Sequence, residues 1–241
     1  MDNVMGRTGI NFNGILLQQP LTREARYWLG FLLADGCLYY SRGYPVISIN
    51  VAKVDQQHLI DFATFCSVTS HAFDLPGHLG RSIGRQVRFA ISREQAEQFS
   101  EYGIVPRKSM KEVPPQGLIH DLDWWRGMID GDGSLGLYRG CPQLSICGSM
   151  ETCEAFSCLV QNITQHKPQV IEISKSFYRC VAGGGNNSQP VIRKIYYEGC
   201  FPVLQRKMMI AEKCFTWISQ RKRISMDAKI CIRQEKMHAS T

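Results

Sequence analysis

The 241-residue chain has 44% hydrophobic residues and a formal net charge of +7, values that suit a globular protein of one domain or two small ones. No apolar run reaches about 18 residues, and the N-terminus lacks a secretory apolar core, so we expect neither a membrane-spanning helix nor a signal peptide. The moderate positive charge permits an anionic partner such as nucleic acid, but many proteins of this charge bind no polyanion.

The cysteine pattern argues against a disulfide framework and against a zinc site. Ten cysteines are scattered among apolar neighbours, with no Cys-x-x-Cys pair. The six histidines do not stand at zinc-ligand spacings from them. We therefore expect reduced thiols in an intracellular protein.

The first predicted helix follows an N-terminal extension, residues 1–20. Thr22 can cap this helix, which runs into the phrase Trp-Leu-Gly-Phe-Leu-Leu-Ala-Asp-Gly at residues 28–36. Alternating sequence then predicts a hairpin with strands at 37–41 and 45–51. In the second of these strands, isoleucine and valine form one face, and serine and asparagine form the other.

The first half continues with a second helix, a second hairpin and a third helix. Leu59, Phe62 and Phe65 form the apolar stripe of the second helix, and alternation around Phe89 predicts another strand. The half ends in an Arg-Lys-x-Met phrase that contains Lys108. A Pro-Pro pair marks the linker, residues 110–120, so the first repeat spans 21–109.

The second half repeats this order about two fifths of the chain later. The phrase Trp-Arg-Gly-Met-Ile-Asp-Gly-Asp-Gly stands at 125–133, 97 residues after its first copy. We predict strands at 135–139 and 143–147, a helix with Phe156 and Leu159, and a hairpin with strands at 172–181 and 191–197. The glycine run at 183–187 would be the tip of that hairpin. A second Arg-Lys-x-Met phrase contains Lys207, so the repeat spans 121–223 and leaves a tail at 224–241.

Small residues recur four places apart in both phrases, as Gly30 with Ala34 and Gly127 with Gly131. Residues at this spacing lie on one face of a helix. A glycine within a helix lowers helix stability by about 1 kcal/mol relative to alanine. Two matched pairs of small residues therefore indicate that these positions have a structural function. We predict that the two repeated helices pack closely against each other.

Each repeated helix ends on an acidic residue, Asp35 or Asp132. The helix dipole disfavours a carboxylate at that end, and two adjacent carboxylates repel each other. A divalent cation reverses both effects, and a set of carboxylate, carbonyl and water oxygens suits Mg²⁺. The alternative is that each Asp-Gly only ends a helix, which explains one copy better than two. Asp130 has no acidic counterpart, because Leu33 holds that place, and is interpreted as structural.

The paired phrase, the linker and the element order resemble the single-chain, two-repeat LAGLIDADG homing endonucleases over residues 21–223. The resemblance implies an α+β fold of two pseudo-symmetric αββαββα repeats. The motif helices would pack at the centre, and the two antiparallel sheets would form a saddle over DNA. The implied activity is a metal-dependent double-strand break in a long, non-palindromic DNA target.

The resemblance also implies roles for individual residues. Asp35 and Asp132 would bind the metal, with Ala34 and Gly131 in the same site, and Mg²⁺ would support cleavage where Ca²⁺ only occupies it. The other implied catalytic residues are the lysines near the end of each half and the polar residues that begin the second helix: Lys108, Lys207, Lys53 and Gln57. The second half instead begins that helix with Met150 and Glu154, so the two DNA strands would be cleaved at unequal rates.

DNA contacts are expected from the sheet face opposite the apolar stripe, where arginine reads guanine and asparagine or glutamine reads adenine. The candidates are Tyr39, Ser41, Ser48, Asn50, Arg81, Arg85, Arg88, Tyr138, Gln143, Ser145, Lys175, Arg179 and Arg193.

The implied partner is double-stranded DNA bound by a monomer, with no membrane. The implied location is a bacterial or phage-infected cytoplasm, or an organelle such as a mitochondrion or chloroplast. An RNA-binding intron maturase on the same scaffold, whose partner would include intron RNA, is the alternative. A DNA-binding regulator built on a decayed endonuclease is a third, which the two intact motifs disfavour.

Overall fold

The computed structural model describes residues 12–68, the backbone of 73–75, and residues 84–217. The elements of the first half are α1 (Arg23–Ala34), β1 (Gly36–Ser41), β2 (Tyr44–Ala52), α2 (Gln56–Phe65), β3 (Phe73–Leu75), β4 (Gly84–Ala90) and α3 (Arg93–Glu101). Those of the second half are α4 (Leu122–Asp132), β5 (Ser134–Tyr138), β6 (Cys141–Gly148), α5 (Met150–Thr164), β7 (Val170–Ser174), β8 (Phe177–Ala182), α6 (Gly185–Ile195) and α7 (Gln205–Phe215).

The two halves contain equivalent four-stranded antiparallel sheets. Their strand orders are β1-β2-β4-β3 and β5-β6-β8-β7. One face of each sheet packs on the helices, and Ile47, Ile49, Leu144 and Ile146 on these faces are fully buried. The predicted α+β class and the αββαββα order of each half are confirmed, with α7 added to the second half.

The motif helices begin at the predicted capping residues. The Thr22 hydroxyl oxygen accepts a hydrogen bond from the Ala25 amide at 3.1 Å, and the Asp121 carboxylate accepts one from the Trp124 amide at 2.8 Å. Each cap satisfies an amide that has no partner within its own helix. The caps therefore fix where the two equivalent helices start.

The predicted last hairpin of the second half is wrong. Residues 191–197 were expected to form a strand, but most of them belong to α6, whose apolar side chains Val191, Ile192 and Ile195 are fully buried. Residues 172–181 form not one strand but β7 and β8, joined by a turn at 175–176. The glycine run leads into α6 and is not a hairpin tip. The helix α6 is thus the counterpart of α3.

The described end of the N-terminal extension is part of the hydrophobic core. Phe12 and Leu16 are buried, and the Phe12 ring stacks on Phe89 with ring centroids 5.4 Å apart. In the described part of the chain all nine cysteines are free thiols, and no described helix is long and apolar enough to cross a membrane.

Candidate metal centre and nucleic-acid interface

The two motif helices touch through their backbones. A Cβ atom added at Gly30 would lie 2.1 Å from the carbonyl oxygen of Trp124, and one added at Gly127 would lie 2.0 Å from that of Tyr27. Non-bonded atoms do not approach so closely, so only glycine fits at either position. The predicted close packing of α1 against α4 is confirmed.

This packing brings the C-terminal ends of the two helices together. A Cβ atom at Gly131 would lie 2.4 Å from the Ala34 Cβ and 3.5 Å from the carboxyl carbon of Asp35. Asp35 directly follows α1, and Asp132 is the last residue of α4. The two aspartates, one from each repeat, therefore share one end of the central helix pair.

The electrostatics of this end favour a bound proton or cation. Both carboxylates reach solvent, but surrounding protein removes part of their hydration. This desolvation, followed by repulsion from Asp132, raises the pKa of Asp35 to about 6. Desolvation likewise raises the pKa of Asp132. The site thus holds two carboxylates whose negative charge is only partly compensated by Lys108 and Lys207.

Asp35→Asn is expected to stabilise the metal-free protein at neutral and alkaline pH. Because the folded-state pKa of Asp35 lies above its ordinary value, its ionisation costs folding free energy as the pH rises from about 4 to about 6. The melting temperature of the variant should exceed that of wild type at pH 8, and the difference should shrink towards pH 4. Glu198→Gln, at an exposed position, is the control. An Asp35→Asn difference that grew on acidification would contradict the argument.

Lys108 and Lys207 lie buried beneath the two aspartates. The Lys108 ammonium donates to the carbonyl oxygens of Leu33 at 2.5 Å and Ala34 at 2.8 Å. The Lys207 ammonium donates to those of Asp130 and Gly133, both at 2.8 Å. Each lysine therefore caps the C-terminal end of its own motif helix, where carbonyls lack helical partners.

The sequence did not predict that the lysines donate to the carbonyls of the motif helices. Burial lowers the pKa of both lysines, that of Lys207 to about 8. The nearby aspartates partly offset this cost, because their negative charge favours the protonated lysines. The expected role of the lysines in polarising water stays a prediction.

The oxygen atoms at this end suit Mg²⁺. Two carboxylates project from adjacent helix ends, and the carbonyls of Ala34 and Gly131 lie beside them. Within the described residues no group of three or more histidine, cysteine, aspartate or glutamate side chains could hold a metal ion. The Ala34 carbonyl already accepts from Lys108. A carbonyl oxygen has a second lone pair, so this bond does not prevent it from binding a cation.

The other predicted catalytic residues lie at the start of α2. Lys53 is exposed in the single turn of 3-10 helix that precedes α2, and Gln57 donates to Asp61 one turn further on at 2.9 Å. In the second half, Glu154 forms an ion pair with Lys167 at 3.5 Å. Neither contact tests the catalytic role predicted for Lys53 and Gln57.

Arg206 joins the two halves beside this region. Its Nε atom lies 2.9 Å from a carboxylate oxygen of Asp55, just before α2. This ion pair links helix α7 of the second repeat to the N-terminus of α2 in the first.

A buried network around Asp130 is the main feature that the sequence did not predict. Its carboxylate accepts hydrogen bonds from the hydroxyls of Tyr27 and Tyr196 and from the Leu204 amide, each at 2.7 Å. His58 lies 2.9 Å from the Tyr27 hydroxyl, and burial lowers its pKa to about 3, so His58 is neutral. The missing acidic counterpart of Asp130 indicated a structural role, but nothing in the sequence identified these partners.

Asp130→Leu, which copies the residue of the first repeat, is expected to destabilise the protein by about 3–5 kcal/mol. The cost arises because two buried hydroxyls and a buried amide lose their shared acceptor. Leu33→Val, a buried change at the equivalent position, should cost much less. Chemical denaturation of both variants measures the difference, and equal losses would show that the network adds nothing beyond packing.

The sheet faces opposite the core carry most of the expected DNA contacts. Strand pairing places on these faces Tyr39, Ser41, Ser48, Asn50, Arg88, Tyr138, Gln143, Ser145 and Arg179. Ser48 and Ser145 are buried at these positions. Lys175 is exposed in the turn between β7 and β8.

Two expected DNA contacts do not lie where the strand pattern placed them, and a third is not described. Arg85 pairs with Val51 and so has the side-chain direction of the core face, because residues three apart in a strand point to opposite faces. Arg193 lies on α6, where its guanidinium donates to the carbonyl of Phe215, so the strand argument for it fails. Arg81 lies outside the described residues.

Comparison with known proteins rests on structure, since neither a family model nor a curated protein sequence matches this chain. The fold is similar to that of the LAGLIDADG meganuclease I-AabMI bound to uncleaved DNA, with 12% identity, coverage of 80% of this chain and 88% of that chain, and a TM-score of 0.55. It is similar to the homing endonuclease I-WcaI bound to its DNA recognition sequence, with 9% identity, coverage of 77% and 85%, and a TM-score of 0.55. The N-terminal LAGLIDADG domain of DUF199/WhiA matches with 15% identity, coverage of 86% and 99%, and a TM-score of 0.49. The chain has the LAGLIDADG fold.

Proposed function

We propose that this protein is a site-specific DNA endonuclease that makes a double-strand break by metal-dependent hydrolysis of phosphodiester bonds. The observation that carries the proposal is the pair of accessible carboxylates at the joined ends of α1 and α4, between two equivalent sheets. The two structural neighbours with the higher TM-scores are nucleases bound to DNA. A net positive charge suits a polyanionic substrate.

The arrangement of the chain's own groups fits this chemistry. Asp35 and Asp132 come from different repeats, so each half supplies one carboxylate to a site that must cut two strands. Lys108 and Lys207 hold the last turn of each motif helix and add positive charge near the phosphates. When bound, Mg²⁺ would activate a water molecule and neutralise charge on the scissile phosphate. The two sheets would hold the duplex on either side.

The test is cleavage of a randomised duplex DNA library by the full chain with Mg²⁺, followed by sequencing of the ends. We expect one long, nearly non-palindromic site, because the exposed faces of the two sheets carry different residues. Cleavage should follow first-order dependence on monomer and stop when Mg²⁺ is chelated, while Ca²⁺ should support binding without cleavage. A requirement for dimerisation, or a strictly palindromic optimal site, would refute the proposal.

A further inference from the structure

The faces of the two sheets opposite the core can be compared position by position. Ser48 in β2 and Ser145 in β6 are equivalent, since they lie 97 residues apart as the two motifs do. In the first sheet Ser48 pairs with Arg88, and Asn50 pairs with Gln86. Asn50 and Arg88 are exposed there, Gln86 is half-buried and Ser48 is buried, and Phe73 of the edge strand β3 pairs with Gln86 from the other side.

The same region of the second sheet is more apolar. Ser145 pairs with Val181, which takes the place of an arginine, and Cys147 pairs with Arg179. Ile171 on the edge strand β7 pairs with Arg179 from the other side, so its side chain shares that face. It is 54% exposed, and Ile173 in the adjoining bulge is 55% exposed. Ile171 and the half-buried Val181 therefore place apolar side chains on the face opposite the core.

We propose that the second repeat recognises its DNA half-site through apolar contacts of Ile171 and Val181, two neighbours of Arg179, with the 5-methyl groups of thymine. The first repeat reads its half-site mainly by hydrogen bonds from the exposed Asn50 and Arg88. This inference rests on the proposed function and specifies the substrate for one half of the site.

The charges around these side chains favour the major groove over a protein partner. Arg179 adjoins both apolar positions, as the partner of Ile171 and two residues before Val181 in β8, and Lys175 is exposed in the turn before β8. In the major groove, thymine offers an apolar methyl group, guanine offers two acceptors for arginine, and the phosphates on the rim attract lysine. A purely apolar partner would instead desolvate Arg179, whose contact with the Ser145 hydroxyl is long, at 3.5 Å.

The experiment replaces thymine with deoxyuridine, which lacks only the 5-methyl group, in one half of the selected duplex at a time. The duplex comes from selection for binding in Ca²⁺, and the half contacted by the first repeat is the one whose base preference relaxes in Arg88→Ala. We expect deoxyuridine in the other half to weaken binding by about fourfold for each contacting methyl group that is removed. The same replacement in the first repeat's half should weaken binding less, because Arg88 stands there in the place of Val181.

The double variant Ile171→Ser, Val181→Ser should lose this sensitivity to deoxyuridine, because serine has no methyl group that could contact thymine. Ile60→Ser, at an exposed position on α2, is the matched control that should retain full sensitivity. Equal effects of deoxyuridine in both halves, or a second half-site selected without thymine, would overturn the inference while leaving the endonuclease proposal intact. A protein that selects no duplex at all would refute both.

Discussion

Replacing Gly30 or Gly127 with leucine is expected to lower the melting temperature more than any single substitution on the exposed sheet faces. The first side-chain carbon alone would approach a backbone carbonyl of the facing helix to 2.1 Å or 2.0 Å, so the helices would have to separate. Overpacking of a tight core typically costs about 1–3 kcal/mol, occasionally more, and contact with backbone atoms places these variants at the upper end. At about 2–4 °C per kcal/mol for a chain of this size, thermal denaturation resolves the loss.

Gly136→Ala is the matched control for this test. No described atom lies within 4 Å of a Cβ added at Gly136 in β5, so the change should be neutral or slightly stabilising through a less flexible unfolded chain. An exposed helical glycine would instead gain nearly 1 kcal/mol in stability from leucine. A raised melting temperature for both leucine variants would therefore show that the motif helices do not meet and would remove the basis of the shared metal site.

Asp35→Asn and Asp132→Asn are each expected to abolish double-strand cleavage and to leave specific DNA binding intact. The proposed metal site draws a carboxylate from each repeat, whereas the sheets make the DNA contacts. Loss of even an outer-shell partner of a metal site typically costs about 10–100-fold in activity or affinity, so loss of a ligand should exceed about 100-fold. Cleavage and binding are measured on the same selected duplex, with and without Mg²⁺.

Binding without metal separates this explanation from unfolding. Each variant removes one negative charge that would face the phosphates, so its Kd in the absence of metal should be equal to or lower than that of wild type. Because Asp35→Asn is also expected to raise the melting temperature at pH 8, instability cannot explain an absence of cleavage. Glu198→Gln should retain full activity. Double-strand cleavage at the wild-type rate by either aspartate variant would show that the metal site is assigned wrongly.

Patterns in the sequence were enough to predict the architecture around the candidate site. Two copies of one phrase predicted two equivalent halves, their small residues predicted the close helix pair, and their last acidic residues predicted the adjacent Asp35 and Asp132. These features are local or periodic, and a pattern of period 2 or 3.6 places a side chain on a face without knowledge of its partners. The strands of the first hairpin in each half were predicted for the same reason.

Other features depend on contacts between residues that are distant in the chain, and these could be read only from the folded structure. The apolar run at 191–197 suits either a strand or a helix by its pattern, and packing within the second half made most of it helical. Strand pairing shows that Arg85 and Arg88 lie on opposite faces of the sheet. The carbonyl acceptors of Lys207 lie at the C-terminal end of α4, more than 70 residues earlier in the chain. The network of Asp130 likewise joins residues from both halves. A side chain's hydrogen bonds and exposure depend on which distant groups surround it, and only the folded chain brings those groups together.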